Sequence, residues 1–77
     1  MPSLPTMKAK DFHKFLLKYG CEHVSVRGSH YKVLNPASGE HSTVPIHSGK
    51  DLKKGTLAGI LKKLGIDAED FVEFVKK

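Results

Sequence analysis

Apolar residues recur first at a helical period and then at a strand period. From about Met7 to Tyr19, Phe12, Phe15, Leu16 and Tyr19 fall at helical spacing, with Lys10, His13, Lys14 and Lys18 on the solvated side. Gly20 follows as a residue able to end that helix in the left-handed conformation. Cys21 to Arg27 then alternates, with Val24 and Val26 on one face and His23, Ser25 and Arg27 on the other. Gly28-Ser29 reads as a two-residue hairpin turn of type II′, because glycine stands first. His30 to Asn35 is the return strand, with Tyr31 and Val33 inward and His30, Lys32 and Leu34 outward. After a turn over residues 36–39, His41 to Ile46 forms a third strand with Val44 and Ile46 inward. Pro45 lacks an N–H and suits a strand end or an edge.

Ser48-Gly49 opens a lysine-rich loop running to Gly55. Thr56 is the expected N-cap of a helix whose Leu57, Ile60, Leu61 and Leu64 form an apolar stripe, closed by Gly65. Asp67 caps a short final helix that turns Phe71, Phe74 and Val75 inward. Pro2 and Pro5 make residues 1–6 an extended lead-in. The order α-β-β-β-α-α predicts an α+β fold, a three-stranded antiparallel sheet with helices on one face and the other face open. At 77 residues the chain reads as a single domain, residues 1–77.

Charge changes this picture. The net charge of +5 and a pI near 9.5 point to an acidic partner. Five lysines (50, 53, 54, 62 and 63) and one acid lie between Lys50 and Lys63, whereas the last eleven residues hold four acids and two lysines. Such concentration suits a phosphate-binding surface, and a solvated lysine-rich loop and helix face fits the pattern too. The longest apolar runs are a few residues, too short for a membrane helix. Met1 to Thr6 has no basic stretch followed by a hydrophobic one, so no signal peptide is expected. A single cysteine, Cys21, fits a reducing cytoplasm.

With the apolar strand residues inward, the open face carries Ser25, Arg27, His30, Lys32, His41 and Thr43. Arg27 and His30 flank the turn and stand opposite one another, and Lys32 lies two positions on. These are the parts for metal-free RNA cleavage, in which a ribose 2′-hydroxyl attacks the neighbouring phosphate. An imidazole, with a reference pKa of about 6.5, is a natural proton carrier near neutral pH. A guanidinium grips phosphate oxygens in a fork, and an ammonium adds a point charge. On spacing alone, an ordinary surface histidine on a basic sheet fits the same residues. His13 reads as solvated, and His23 and His41 as single histidines on the exposed face. His47, just before the basic loop, offers a second proton-transfer group or a phosphate contact. Cys21, His23, His41 and His47 have no paired-ligand spacing for zinc, and Cys21 after a helix-ending glycine reads as a small buried hydrophobe.

The stretches LLKYG and VRGSHYKV, then TVPIHSGKDLKKGTLAGILKKLGI and DAEDFVEF, together resemble the HicA family of bacterial toxins, also called YcfA-like proteins. The resemblance runs from about Lys8 to Phe74, with Gly28-Ser29-His30 matching the family's Gly-Ser-His signature. Cys21 departs from the aromatic residue the family often has there, which bears on packing at that spot. The resemblance implies a fold like that of the double-stranded RNA-binding domain and a ribosome-independent mRNA interferase with His30 as its active residue. It implies no metal or other cofactor, and a HicB-type antitoxin that covers the active face. The resulting expectation is a cytoplasmic toxin, monomeric alone and hetero-oligomeric with its antitoxin. His30 is then general acid or base, with RNA held by Arg27, Ser29, Lys32, His47, Lys50, Lys53 and Lys54. A non-catalytic RNA-binding module using the same basic face is the alternative, and a third reading makes the chain chiefly an interaction protein, with Leu34 marking the contact.

Overall fold

The computed structural model describes residues 6–47 and 49–76, so the expected lead-in lies outside it save for Thr6, as does Ser48. Helix α1 spans Ala9–Tyr19 and buries Ala9, Phe12 and Leu16, with Phe15 and Tyr19 at the core's margin. It ends as expected: Gly20 takes φ 131° and donates its N–H to the Leu16 and Leu17 carbonyls. Its start differs. Met7–Lys8 is a short strand, β1, paired antiparallel with a second short strand, β5, Asp51–Leu52. Elements of two residues leave no periodic trace, so neither was predicted.

Strands β2 (Glu22–Arg27), β3 (His30–Asn35) and β4 (Glu40–Pro45) form the main sheet in the order β2-β3-β4, antiparallel throughout. Gly28 has φ 60° and no non-glycine among the described residues has positive φ, as a type II′ turn requires. Val33 and Val44 are fully buried against Phe12, Leu16, Leu57, Leu61 and Phe71. Phe12 meets Phe71 edge-on at 5.4 Å between ring centroids, a favoured aromatic geometry. Cys21 is buried, and burial pushes its thiol up, so it behaves as a small hydrophobe.

The hairpin departs from simple alternation at one point. Counting back from the turn, Arg27 pairs with His30, Val26 with Tyr31 and Ser25 with Lys32, but the next partner of β3, Val33, faces His23. Val24 is therefore an extra residue in a β-bulge. His23 comes opposite buried Val33 instead of joining the open face, and its ring lies 5.7 Å from His13 and 6.0 Å from Tyr31. Val24 and Val26, expected inward, are 46% and 51% exposed, because β2 is an edge strand that the helices do not cover. His13 is likewise not solvated. It is half-buried between His23 and Tyr31, its Nε2 is enclosed without a hydrogen-bond partner, and burial followed by His23 lowers its pKa.

Helix α2 spans Lys54–Lys63, starting before Thr56, with Lys53 at the N-cap and no side-chain cap. Buried Leu52, held in β5, fixes the chain just ahead of the helix, whose first turn has no side-chain cap. Leu57, Ile60, Leu61 and Leu64 are buried as their spacing predicts. Gly65 at φ 72° closes the helix, with Ile66 N–H donating to the Leu61 carbonyl at 2.9 Å. Helix α3, Ala68–Lys76, is capped by Asp67, whose Oδ1 accepts the N–H groups of Glu69 and Asp70 at 2.8 and 3.2 Å. Phe71 is buried and Phe74 and Val75 half-buried, and Val72, not singled out by spacing, is buried too. The β3–β4 turn and the end of α2 are joined by side chains: Asn35 Nδ2 and Ser38 Oγ both donate to the Leu64 carbonyl, at 2.8 and 2.7 Å.

Candidate active site on the open sheet face

The open face is built in cross-strand rows. Arg27, His30 and Pro45 form the row at the turn, and Ser25, Lys32 and Thr43 form the next. Two-residue closure at Gly28-Ser29 sets the first row, and antiparallel pairing carries it across to β4. Directly opposite side chains are about 5 Å apart at Cβ, so Arg27 and His30 are near enough to reach one ligand. Ser25, Val26, Arg27, His30, Lys32 and Thr43 line one open depression of about 660 Å³. Arg27, His30 and Lys32 are all exposed, and none of the lining residues is a carboxylate. Imidazole, guanidinium and ammonium on one concave face suit a phosphodiester, since the cations attract its oxygens and the imidazole moves protons.

The other expected site residues sit elsewhere. Ser29 is half-buried in the turn and its carbonyl accepts Ile46 N–H at 2.7 Å, so its backbone ties the hairpin to the end of β4. It does not line the depression. His47 and Lys50 line a smaller hollow with Lys8 and Lys10, and on another side they meet Lys53. Lys54 is exposed in the first turn of α2, outside both hollows. The structure thus gathers Arg27, His30 and Lys32 in one place and His47, Lys50 and Lys53 in another. Spacing put Ser25 and Thr43 on the right face without marking them as lining residues. Val26 was placed inward and its edge position brings it to the depression. Among the described residues, no three His, Cys, Asp or Glu side chains gather into a metal-binding group. No described helix is long and apolar enough to cross a membrane.

Comparison with known proteins agrees with these motifs. The profile of the family described as "HicA toxin of bacterial toxin-antitoxin" matches residues 9–66. A "Probable mRNA interferase HicA" of Pseudomonas fluorescens (strain Pf0-1) is 33% identical over 60 residues, covering 78% of this chain and 97% of that relative. The matched span runs from the start of α1 through the hairpin to the close of α2, and so contains the whole depression. The chain belongs to the HicA toxin family of bacterial toxin–antitoxin systems.

Proposed function

We propose that this protein is a metal-independent mRNA endonuclease that acts through His30 and is silenced by a HicB-type antitoxin in the cytoplasm. The observation that carries the reading is the Arg27–His30 cross-strand pair with Lys32 on the same concave, carboxylate-free face. The ribose 2′-oxygen forms a bond to phosphorus while the bond from phosphorus to the 5′-oxygen breaks, leaving a 2′,3′-cyclic phosphate and a 5′-hydroxyl. One proton leaves the 2′-oxygen and one reaches the 5′-oxygen, and His30 carries one of these transfers as general base or general acid. Arg27 and Lys32 neutralise the charge that grows on the phosphorane oxygens. Ser29 holds the turn, and His47, Lys50, Lys53 and Lys54 hold the remainder of the strand. The relative's name, an mRNA interferase, supports RNA as the substrate.

The antitoxin covers the depression and excludes RNA. Exposed Val26 and half-buried Leu34 offer apolar contact beside the cations, a mixture suited to an acidic protein partner. The toxin is monomeric alone and hetero-oligomeric in the inhibited complex.

His30→Ala is the decisive variant. Its cost is about 10²- to 10⁴-fold in cleavage, the usual contribution of one proton-transfer group, with far-UV circular dichroism unchanged. Cleavage by the wild type persists in EDTA and yields cyclic or 3′-phosphate ends. A folded His30→Ala protein that cleaves mRNA at the wild-type rate removes the assignment. Salt-sensitive RNA binding without fragments from the wild type favours a binding module instead.

A further inference from the structure

Beyond the turn end of the sheet, three chain segments deliver cations to one place. Pro45 stands opposite His30, and Ile46 is clamped by its N–H to the Ser29 carbonyl at 2.7 Å. His47 thus leaves the sheet two residues past the partner of His30, roughly 7 Å along extended chain. Lys50 N–H donates to the His47 carbonyl at 3.1 Å, which turns the loop back and returns Lys50 to the side of His47. Ala9 N–H then donates to the Lys50 carbonyl at 3.3 Å, and Lys8 pairs with Asp51 in the β1–β5 ladder. Those bonds bring the start of α1 to the same spot. Lys8, Lys10, His47 and Lys50, all exposed, surround a hollow of about 240 Å³ with Ile46 at its wall. Asp51, across from Lys8, offsets part of one charge and lines the neighbouring hollow with Lys53. Gathering like charges by fixed backbone bonds costs self-repulsion, which a bound anion relieves.

We propose that this hollow is a second phosphate subsite, formed by Lys8 and Lys10 together with His47 and Lys50. It fixes the path of the RNA from the Arg27–His30 row, across Pro45, to the start of α1. This rests on the endoribonuclease reading above and extends it to two lysines that the sequence keeps about forty residues from the basic loop. Half-buried Pro45, with no N–H to donate, gives an apolar step between the two cationic places on which a sugar or base can lie.

The test uses the full chain carrying His30→Ala, so that RNA is bound without being cut, and a short single-stranded RNA titrated at several salt concentrations. Lys8→Ala/Lys10→Ala is compared with Lys62→Ala/Lys63→Ala, an equal loss of charge at the exposed far end of α2. Each single-strand phosphate contact contributes about 0.7 to the slope of log K against log salt. The first pair therefore loses about 0.7 to 1.4 of slope, or roughly 5- to 25-fold in affinity at 0.1 M salt if the proteins converge at 1 M, while the control pair keeps its slope. With His30 intact, the Lys8/Lys10 pair raises KM and leaves kcat unchanged. Equal losses in both pairs, or none in the first, overturn the subsite while leaving cleavage through His30 standing. A slope loss confined to the first pair in a protein that cuts no RNA keeps the subsite and removes the catalytic reading. A wild type that binds no RNA removes both.

Discussion

The join between sheet and helix α2 yields a prediction that can be worked from individual hydrogen bonds. The Leu64 carbonyl, in a residue with no exposed surface, accepts from both Asn35 Nδ2 at 2.8 Å and Ser38 Oγ at 2.7 Å. Either donor alone satisfies it. Asn35→Ala removes one buried neutral hydrogen bond, and also the acceptor of Ala37 N–H, whose turn is open to water. A net cost of about 1 to 1.5 kcal/mol follows, and Ser38→Ala costs about 0.5 to 1.5 kcal/mol on the same grounds. The double variant is different in kind, because it leaves the carbonyl buried with no donor. Stranding a buried acceptor costs about 1 to 3 kcal/mol, so the pair exceeds the sum of the singles by roughly 1 to 2 kcal/mol. Urea unfolding of the four proteins followed by far-UV circular dichroism measures this coupling, in sucrose at one fixed concentration if the double variant is otherwise unfolded. Additivity within about 0.5 kcal/mol refutes the shared-acceptor account and means that water or a relaxed turn reaches Leu64.

Two further outcomes follow from other sites. His13 is held below the ordinary imidazole range by burial and then by His23, with Lys10, Lys14 and Tyr31 around it. Below about pH 6.5 the unfolded chain takes up a proton that folded His13 resists, so stability present above that pH falls as pH drops toward the lowered folded value. His13→Phe should flatten the stability slope below pH 6.5 relative to wild type, and parallel slopes in urea titrations contradict the linkage. Two glycines should respond oppositely to alanine. Gly59, inside α2 with open space where a Cβ would sit, gives a gain of about 0.5 to 1 kcal/mol. Gly65, at φ 72° with Ser38 Cβ 3.1 Å from an added Cβ, gives a loss of about 1 to 2 kcal/mol or more. Thermal midpoints that move the same way for both contradict the backbone account.

Which parts of the site were legible depended on distance from the turn. The residues 25–27 and 30–32 fell on their expected sides of the strands because a two-residue turn pins register locally, and glycine in first position announces that turn. His23 and Val24 were misplaced because a bulge leaves no mark in composition: valine suits both the paired and the unpaired position. Val26 kept its side but not its burial, since an edge strand escapes the cover that alternation assumes. The early start of α2 was hidden for a similar reason. Its anchor, buried Leu52, belongs to a strand too short to have a period. Lys8 and Lys10 escaped notice as site residues because only the β1–β5 ladder brings them to Lys50.

The bulge also explains how one hairpin meets two demands. At the turn, pairing runs without interruption from Arg27–His30 to Ser25–Lys32, which keeps Arg27, His30 and Lys32 on the open face. Toward the other end of β2, the exposed His23 ring meets His13 of α1 at 5.7 Å and Tyr31 at 6.0 Å. Uninterrupted pairing would put Val24 opposite Val33 and leave His23 on the cationic face, adding an imidazole to the site and leaving His13 without its ring partner. One extra residue at Val24 absorbs the difference. It brings His23 opposite Val33 and leaves Arg27 opposite His30. The same irregularity disrupts the free edge of β2, where a flat strand would invite pairing with another chain. The Arg27–His30 row, proposed above to act on RNA, is thereby carried on an open edge hairpin with a register set by its own turn.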